Sequence, residues 1–185
     1  MKVISIDPSI HNLGIAVANT DRVITEATLI RSSKDQSANW QSAALTMSEA
    51  VSLIITTAIA DDPEGYILVS EMPENWFGER GEDSKNSEAV QKLYFYVGYQ
   101  MSLLRRQYPS IKMFLVTPTV WKGQTPKTIT LKRAVALLAK QGVSLKVLDL
   151  NVSDAIMIGQ FAYDNFHRLI PIESFIQPIN TTSYI

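Results

Sequence analysis

The chain of 185 residues is 46% hydrophobic and 19% charged, with a formal net charge of −1, a balance that suits one globular domain with an ample core and is wrong for a disordered chain. There is no cysteine, which excludes disulfides, thiolate metal sites and cysteine nucleophiles, and the two histidines, His11 and His167, are too few for a histidine-rich metal centre. No apolar run reads as a membrane span and the N-terminus enters a strand without a leader pattern, so a soluble intracellular protein is expected.

The near-neutral total conceals an uneven distribution. Residues 61–84 carry eight acids against Arg80, whereas residues 85–146 carry eleven bases against Glu88. A basic middle of this kind suits a polyanion-binding surface, although a solvated helical face can also be basic.

In chain order, Val3-Ile4-Ser5-Ile6-Asp7 is an apolar run that climbs to a single carboxylate. Pro8 has no backbone N–H and turn formers follow, so pairing stops there. A second apolar run begins around Gly14, where a side chain would crowd whatever lies against the first strand. The pair reads as a β-hairpin with an acid at its inner end. Taken alone, Asp7 could equally serve only its own turn, and His11 likewise. Arg22 to Ile30 reads as a third strand after the Asn19-Thr20-Asp21 turn, completing an antiparallel meander. After a polar loop, Trp40, Ala43, Ala44, Met47, Val51, Ile55 and Ala58 recur at helical spacing, with Ser37 as the expected cap.

Tyr66-Ile67-Leu68-Val69-Ser70-Glu71 has no polar alternation, as expected of a strand buried on both faces, and it too ends on a carboxylate. Two strands that each finish on an acid are the first sign of a shared site. The loop 74–85 carries the adjacent aromatics Trp76 and Phe77. A helix is expected from a Ser87 cap to about Gln107. Its apolar residues, among them Leu93, Tyr94, Phe95, Tyr96 and Tyr99, run nearly all round, so one side should meet the sheet and another could meet a second subunit. Ile111 to Val116 reads as a strand, followed by a basic loop over Trp121 to Lys127 and a helix ending at Gly142. Val143 to Leu150 is a short strand or irregular. In the last helix Ser153 suits the cap, which would put Asp154 in a first turn where the helix dipole favours a carboxylate. His167 reads as structural. The tail from Leu169 is apolar and proline-interrupted, and it has no assignment.

Five pieces in this order, SIDPSIHNLGIAV, ILVSEMP, SEAVQKLYFYVG, WKGQTPK and NVSDAIMIG, resemble the RuvC family of Holliday-junction resolvases within the ribonuclease H-like superfamily, and most of all its phage-encoded members. The resemblance covers roughly residues 2–163. It implies an α/β fold: a mixed five-stranded sheet, three antiparallel strands then parallel ones, flanked by helices. The nuclease domain would occupy residues 1–168, with 169–185 as a tail of unknown role. Asp7 and Glu71 would lie on neighbouring strands with Asp154 opposite them, as catalytic metal ligands. The resemblance further implies Mg2+, with Mn2+ able to substitute, two ions per active site, a homodimer, and hydrolysis of phosphodiester bonds in branched DNA. Neither a membrane nor a small-molecule cofactor is expected, and the location would be the cytoplasm, that of the host if the chain is phage-encoded. Where many members carry an acid three residues before the last aspartate, this chain has Asn151, so either Asn151 or Asp149 would complete the metal set. Trp76 and Phe77 fall in the region of the family's junction-opening aromatic. Lys85, Lys122, Lys127, Lys132 and Arg133 are the candidate DNA contacts. Three clustered carboxylates would repel one another without a cation, and hard oxygen ligands suit Mg2+ or Mn2+. Two other readings stay open. A broader branched-nucleic-acid nuclease and a non-catalytic DNA-binding subunit share the same features. An actin-type ATPase also begins with strand, aspartate and glycine-containing hairpin, but needs a much longer chain.

Overall fold

The structure, a computed structural model, describes residues 1–33, 39–60, 62, 65–74 and 84–175, with side chains described from 88 to 174 in the last of these segments. Its elements are β1 (Lys2–Asp7), β2 (Asn12–Ala18), β3 (Ile24–Arg31), α1 (Trp40–Ile59), β4 (Tyr66–Glu71), α2 (Ser84–Gln107), β5 (Lys112–Val116), the single turn α3 (Pro118–Trp121), α4 (Lys127–Gln141), α5 (Leu150–Asp164) and β6 (Ile170–Pro171). The sheet order is β3-β2-β1-β4-β5-β6. The meander β1-β2-β3 is antiparallel, β4 lies parallel to β1, and β5 lies parallel to β4. This is the expected mixed sheet with one strand added. Ile170 and Pro171, in the stretch that sequence left unassigned, pair antiparallel with β5, and the flanking Leu169 and Ile172 are core residues.

Strand alternation divides the core into two faces. Ile4, Ile6, Leu13, Ile15, Leu68 and Met113 point toward α1 and α2, where they meet Met47, Val51, Ile55, Tyr96, Met101 and Leu104. On the opposite face Val3, Ile67, Val69 and Val116 pack with Ile158 and Ala162 of α5. Ala16 and Ala18 pack there with Val152, Ala155 and Ile156, backed by Ala134 and Leu138 of α4. By length and composition α1 is apolar enough to cross a membrane, contrary to the sequence expectation, but here it covers the sheet through Ala43, Ala44, Met47, Val51, Ile55 and Ile59.

Small residues set the spacing on the α5 face. A Cβ on Gly14 would sit 2.2 Å from the backbone oxygen of Asn151, and one on Gly159 would sit 2.8 Å from Ser5 Oγ. The crowding expected at Gly14 is thus real, and what crowds it is the first turn of α5.

Three helix starts differ from expectation. Asn39 caps α1 by accepting from the N–H groups of Gln41 and Ser42, and Ser37 lies outside the described residues. Helix α2 begins at Ser84 rather than Ser87. Asp149 caps α5, accepting from Val152 N at 2.9 Å, so Asp154 sits in the second turn rather than the first. Ser153, the expected cap, instead donates its hydroxyl to Asp149 O at 2.6 Å. Both residues are good cap formers, and the earlier one satisfies the helix first. Residues 143–149 are irregular rather than a strand.

Candidate active site

Asp7 is the last residue of β1 and Glu71 the last of β4. The parallel register pairs Ile6 with Ser70, which brings the two acids side by side at the next step. Asp7 is odd-numbered like Val3, and Glu71 like Ile67 and Val69, so alternation aims both at the α5 face. There α5 brings Asp154, which is fully buried. Three acids from β1, β4 and α5 therefore meet at the edge of the sheet where the parallel strands end.

Two lysines stand among them. Lys122 Nζ lies 3.1 Å from Asp154 Oδ2 and 3.6 Å from Glu71 Oε2, and Lys127 Nζ lies 3.5 Å from Asp154 Oδ2. Both come from the segment after β5, which emerges at this edge because β5 runs parallel to β4. Trp121 Nε1 donates to Glu71 Oε2 at 2.6 Å, and Lys122 Nζ lies 4.6 Å from the centroid of the Trp121 ring. Glu74 ties the two loops together by accepting from Thr119 N at 3.0 Å and from the Thr119 hydroxyl. Asn151 is oriented from both ends. Its Nδ2 donates to Asn12 O at 2.7 Å, and its Oδ1 accepts from Lys127 Nζ at 3.3 Å. Asp149 is engaged as the helix cap, whereas Asn151 lines the same cleft as Asp7 and Glu71.

The electrostatics are those of crowded acids. Burial, reinforced by the charge of Glu71, pushes Asp7 well above the ordinary carboxylate range, with Lys127 opposing. Burial also raises Glu71, against the charge of Lys122 and the Trp121 hydrogen bond. For Lys122, burial acts downward, but Glu71 and Asp154 outweigh it and hold the ammonium above its ordinary range. Asp154 Oδ1 is buried and has no hydrogen-bond partner among the described residues.

Among the described residues no three acids or histidines form a ready-made metal-ligand cluster, and Lys122 stands between Glu71 and Asp154. The donor set nevertheless fits a divalent cation. It is all oxygen, as hard cations require, and it contains a buried carboxylate oxygen that no group among the described residues satisfies. A cleft of about 650 Å³ opens at Asp7 and Glu71, lined also by Lys127, Asn151, His11 and Trp40 among others, with Asp154 buried behind it.

The remaining sequence candidates are dispersed. Lys132 and Arg133 are exposed on α4, and Arg133 lines a smaller cavity beside Trp121 and Lys122. Lys85 lies in α2 with its side chain outside the description, and Trp76 and Phe77 lie outside the described residues. His11 pairs through Nδ1 with Ser32 Oγ at 3.2 Å, and His167 is exposed on the turn after α5. Sequence reasoning missed Trp121 and Glu74. The parallel pairing of β4 and β5 is the signal that could have placed them beside Glu71.

The mixed sheet order and its flanking helices define a ribonuclease H-like fold. Compared as a sequence, the chain matches no protein-family model and no curated protein. Compared as a structure, it is similar to Thermus thermophilus RuvC at 14% identity and TM-score 0.60, over 93% of this chain and 100% of that one. The T. thermophilus RuvC complex with a Holliday junction substrate gives 14% identity and TM-score 0.59, over 93% and 99%. Fowlpox virus resolvase with its Holliday junction DNA is similar at 14% identity and TM-score 0.49, over 90% and 99%.

Proposed function

We propose that the protein is a divalent-metal-dependent endonuclease that hydrolyses phosphodiester bonds in branched DNA, with the four-way junction as its substrate. The observation that carries this reading is the meeting of Asp7, Glu71 and Asp154 at one sheet edge, with a buried unpartnered oxygen on Asp154, on a resolvase-type fold. The T. thermophilus RuvC structure in complex with a Holliday junction substrate supports the choice of substrate.

Asp7, Glu71, Asp154 and the amide oxygen of Asn151 would hold the metal, Mg2+ or Mn2+, with two ions per site. A bound cation of this kind supplies Lewis acidity and a water of lowered pKa. The chain's own residues do the rest. Burial at the strand ends keeps bulk water from the acids, and Trp121 fixes the orientation of Glu71. Lys122 and Lys127 offset carboxylate repulsion, and Lys127, its side chain 48% exposed, also offers charge to an incoming phosphate. Lys132, Arg133 and Lys85 would be the further phosphate contacts, and Trp76 and Phe77 the aromatics that meet the junction. Two nicks in strands of like polarity call for two sites related by a two-fold axis. We assign that dimer to α2, where Phe95 is 62% and Tyr99 37% exposed and an added Cβ on Gly98 would meet nothing within 4 Å.

The test is cleavage of a four-way junction, a flap and a plain duplex, with and without Mg2+, by wild type and Asp7→Asn. Wild type should cut the junction only with metal. Asp7→Asn should lose at least about a thousandfold in rate while still binding the junction, as expected when a metal ligand is removed. Junction cutting by Asp7→Asn at the wild-type rate would overturn the assignment. Sedimentation at micromolar concentration should give twice the monomer mass.

A further inference from the structure

We propose that Trp40 is a stacking platform for an unpaired DNA base, set in the wall of the cleft that opens at Asp7 and Glu71, with Lys92 beside it for the neighbouring phosphate. This rests on the branched-DNA reading above, but not on the metal.

Trp40 does not join the core that its helical spacing suggests. It is the first residue of α1, fixed there by the Asn39 cap on Gln41 N and Ser42 N. Helix α1 enters the core through Ala44, Met47, Val51 and Ile55, and among the described residues Trp40 packs into none of the three hydrophobic clusters. It is half-buried and lines the cleft.

The same cleft is lined by Asp7 and Glu71 from the strand ends and by Trp40, Lys92 and Leu93 from α1 and α2. Acids and indole therefore share one hollow. Phe95 meets the indole at 90°, with ring centroids 5.6 Å apart. A T-shaped contact of this kind uses at most one face of the indole, so it steadies the ring and leaves a face for another. Lys92 Nζ pairs with Glu88 Oε1 at 2.7 Å, but the Glu88 side chain is 74% exposed. An exposed pair is weak, and a phosphate can compete for the ammonium.

An aromatic face beside an ammonium is the chemistry that binds a nucleotide, the ring taking the base and the cation the phosphate. In a duplex both faces of every base are already stacked. At a branch point stacking is interrupted, and a base there can turn out of the helix at less cost. The platform should therefore favour branched DNA over plain duplex.

The experiment measures binding of the full chain to a labelled four-way junction and to a plain duplex by fluorescence anisotropy, in EDTA so that nothing is cut. Trp40→Leu, which keeps apolar bulk and lacks a ring, should bind the junction roughly tenfold more weakly and the duplex within about twofold of wild type, whereas Trp40→Phe should stay within about threefold on both. An abasic residue is then scanned through the positions flanking the crossover. At one of them wild type should lose roughly tenfold and Trp40→Leu nothing further, because the two changes remove the same contact. A second measurement needs no variant: 5-iodouracil at that position should crosslink to residue 40 on irradiation. Junction binding by Trp40→Leu equal to wild type, additive losses at every abasic position, or crosslinks only to residues other than 40 would each overturn the inference while leaving the branched-DNA reading intact. A wild type that binds junction and duplex equally would overturn that reading, and the inference with it.

Discussion

The two faces of the sheet are built on opposite principles. Toward α1 and α2 the contacts are large: Ile4, Ile6, Leu13, Leu68, Met47, Tyr96 and Met101 are all fully or almost fully buried. Toward α5 branched residues such as Val3, Ile67, Val69 and Ile158 are interrupted by small ones, and at Gly14 and Gly159 a strand and a helix come closer than any side chain would allow. Bulk on the first face provides apolar burial, of the order of 2 kcal/mol for each large side chain. Closeness on the second brings Asp154 within reach of acids that belong to strands. A helix held off by ordinary side chains could not do so. One face therefore mainly stabilises, and the other mainly positions.

Breaking the closeness should cost most. Gly14→Val would drive a branched side chain into the backbone of Asn151, and backbone cannot step aside. A loss of about 4 kcal/mol or more is expected, at the severe end for single substitutions, measured by urea denaturation. Any protein that still folds should have lost metal binding, because Asn151 and Asp154 move together on α5. Leu68→Ala on the other face should cost about 2–5 kcal/mol, with activity per folded molecule close to wild type. If it instead abolished activity in folded protein, the division of labour between the faces would be wrong.

The positioning face carries its own destabilisation. Burial and Glu71 raise the folded-state pKa of Asp7 above its unfolded value. As pH rises from about 4, the unfolded chain gives up this proton first, so stability falls until the folded value is passed and stays reduced above it. Without metal, Asp7→Asn should therefore melt higher than wild type at pH 7, and the gap should close below pH about 4. Added Mg2+ should stabilise wild type and not the variant. An Asp7→Asn chain that melts lower than wild type at neutral pH would show that Asp7 is satisfied in the metal-free state.

Much of this arrangement could be read from the chain, for identifiable reasons. Asp7 and Glu71 were legible because an unbroken apolar run that stops at an acid announces a buried strand with a charged end. Asp154 was legible only through a resemblance. Its helix start could not be fixed, because Asp149 and Ser153 are both competent caps and only the packed helix decides between them. The Trp121 hydrogen bond joins residues fifty positions apart: the parallel pairing of β4 and β5 was expected, but residue spacing does not reveal which side chain after β5 reaches Glu71. The two-residue β6 is too short to show a period, and it pairs because β5 offers an open edge.

The smallest effects offer the cleanest contrast, because each face has a helix with a side-chain cap. Asn39 caps α1 with hydrogen bonds to Gln41 N at 3.0 Å and Ser42 N at 3.2 Å. Asp149 caps α5 with one to Val152 N at 2.9 Å. Replacing either by alanine removes the same kind of contact and should cost about 1 kcal/mol in chemical denaturation. The functional consequences should differ. Helix α1 carries none of the acids, so Asn39→Ala should leave the metal affinity of the folded protein within about twofold. Asp149→Ala frees the first turn of α5, where Asn151 bridges Asn12 and Lys127 and Asp154 follows one turn on. A shift there moves two proposed ligands, and metal affinity should fall roughly tenfold or more, in line with the loss of a group that orients a ligand. Equal loss of metal affinity in the two variants would mean that α5 positions the site no more than α1 does.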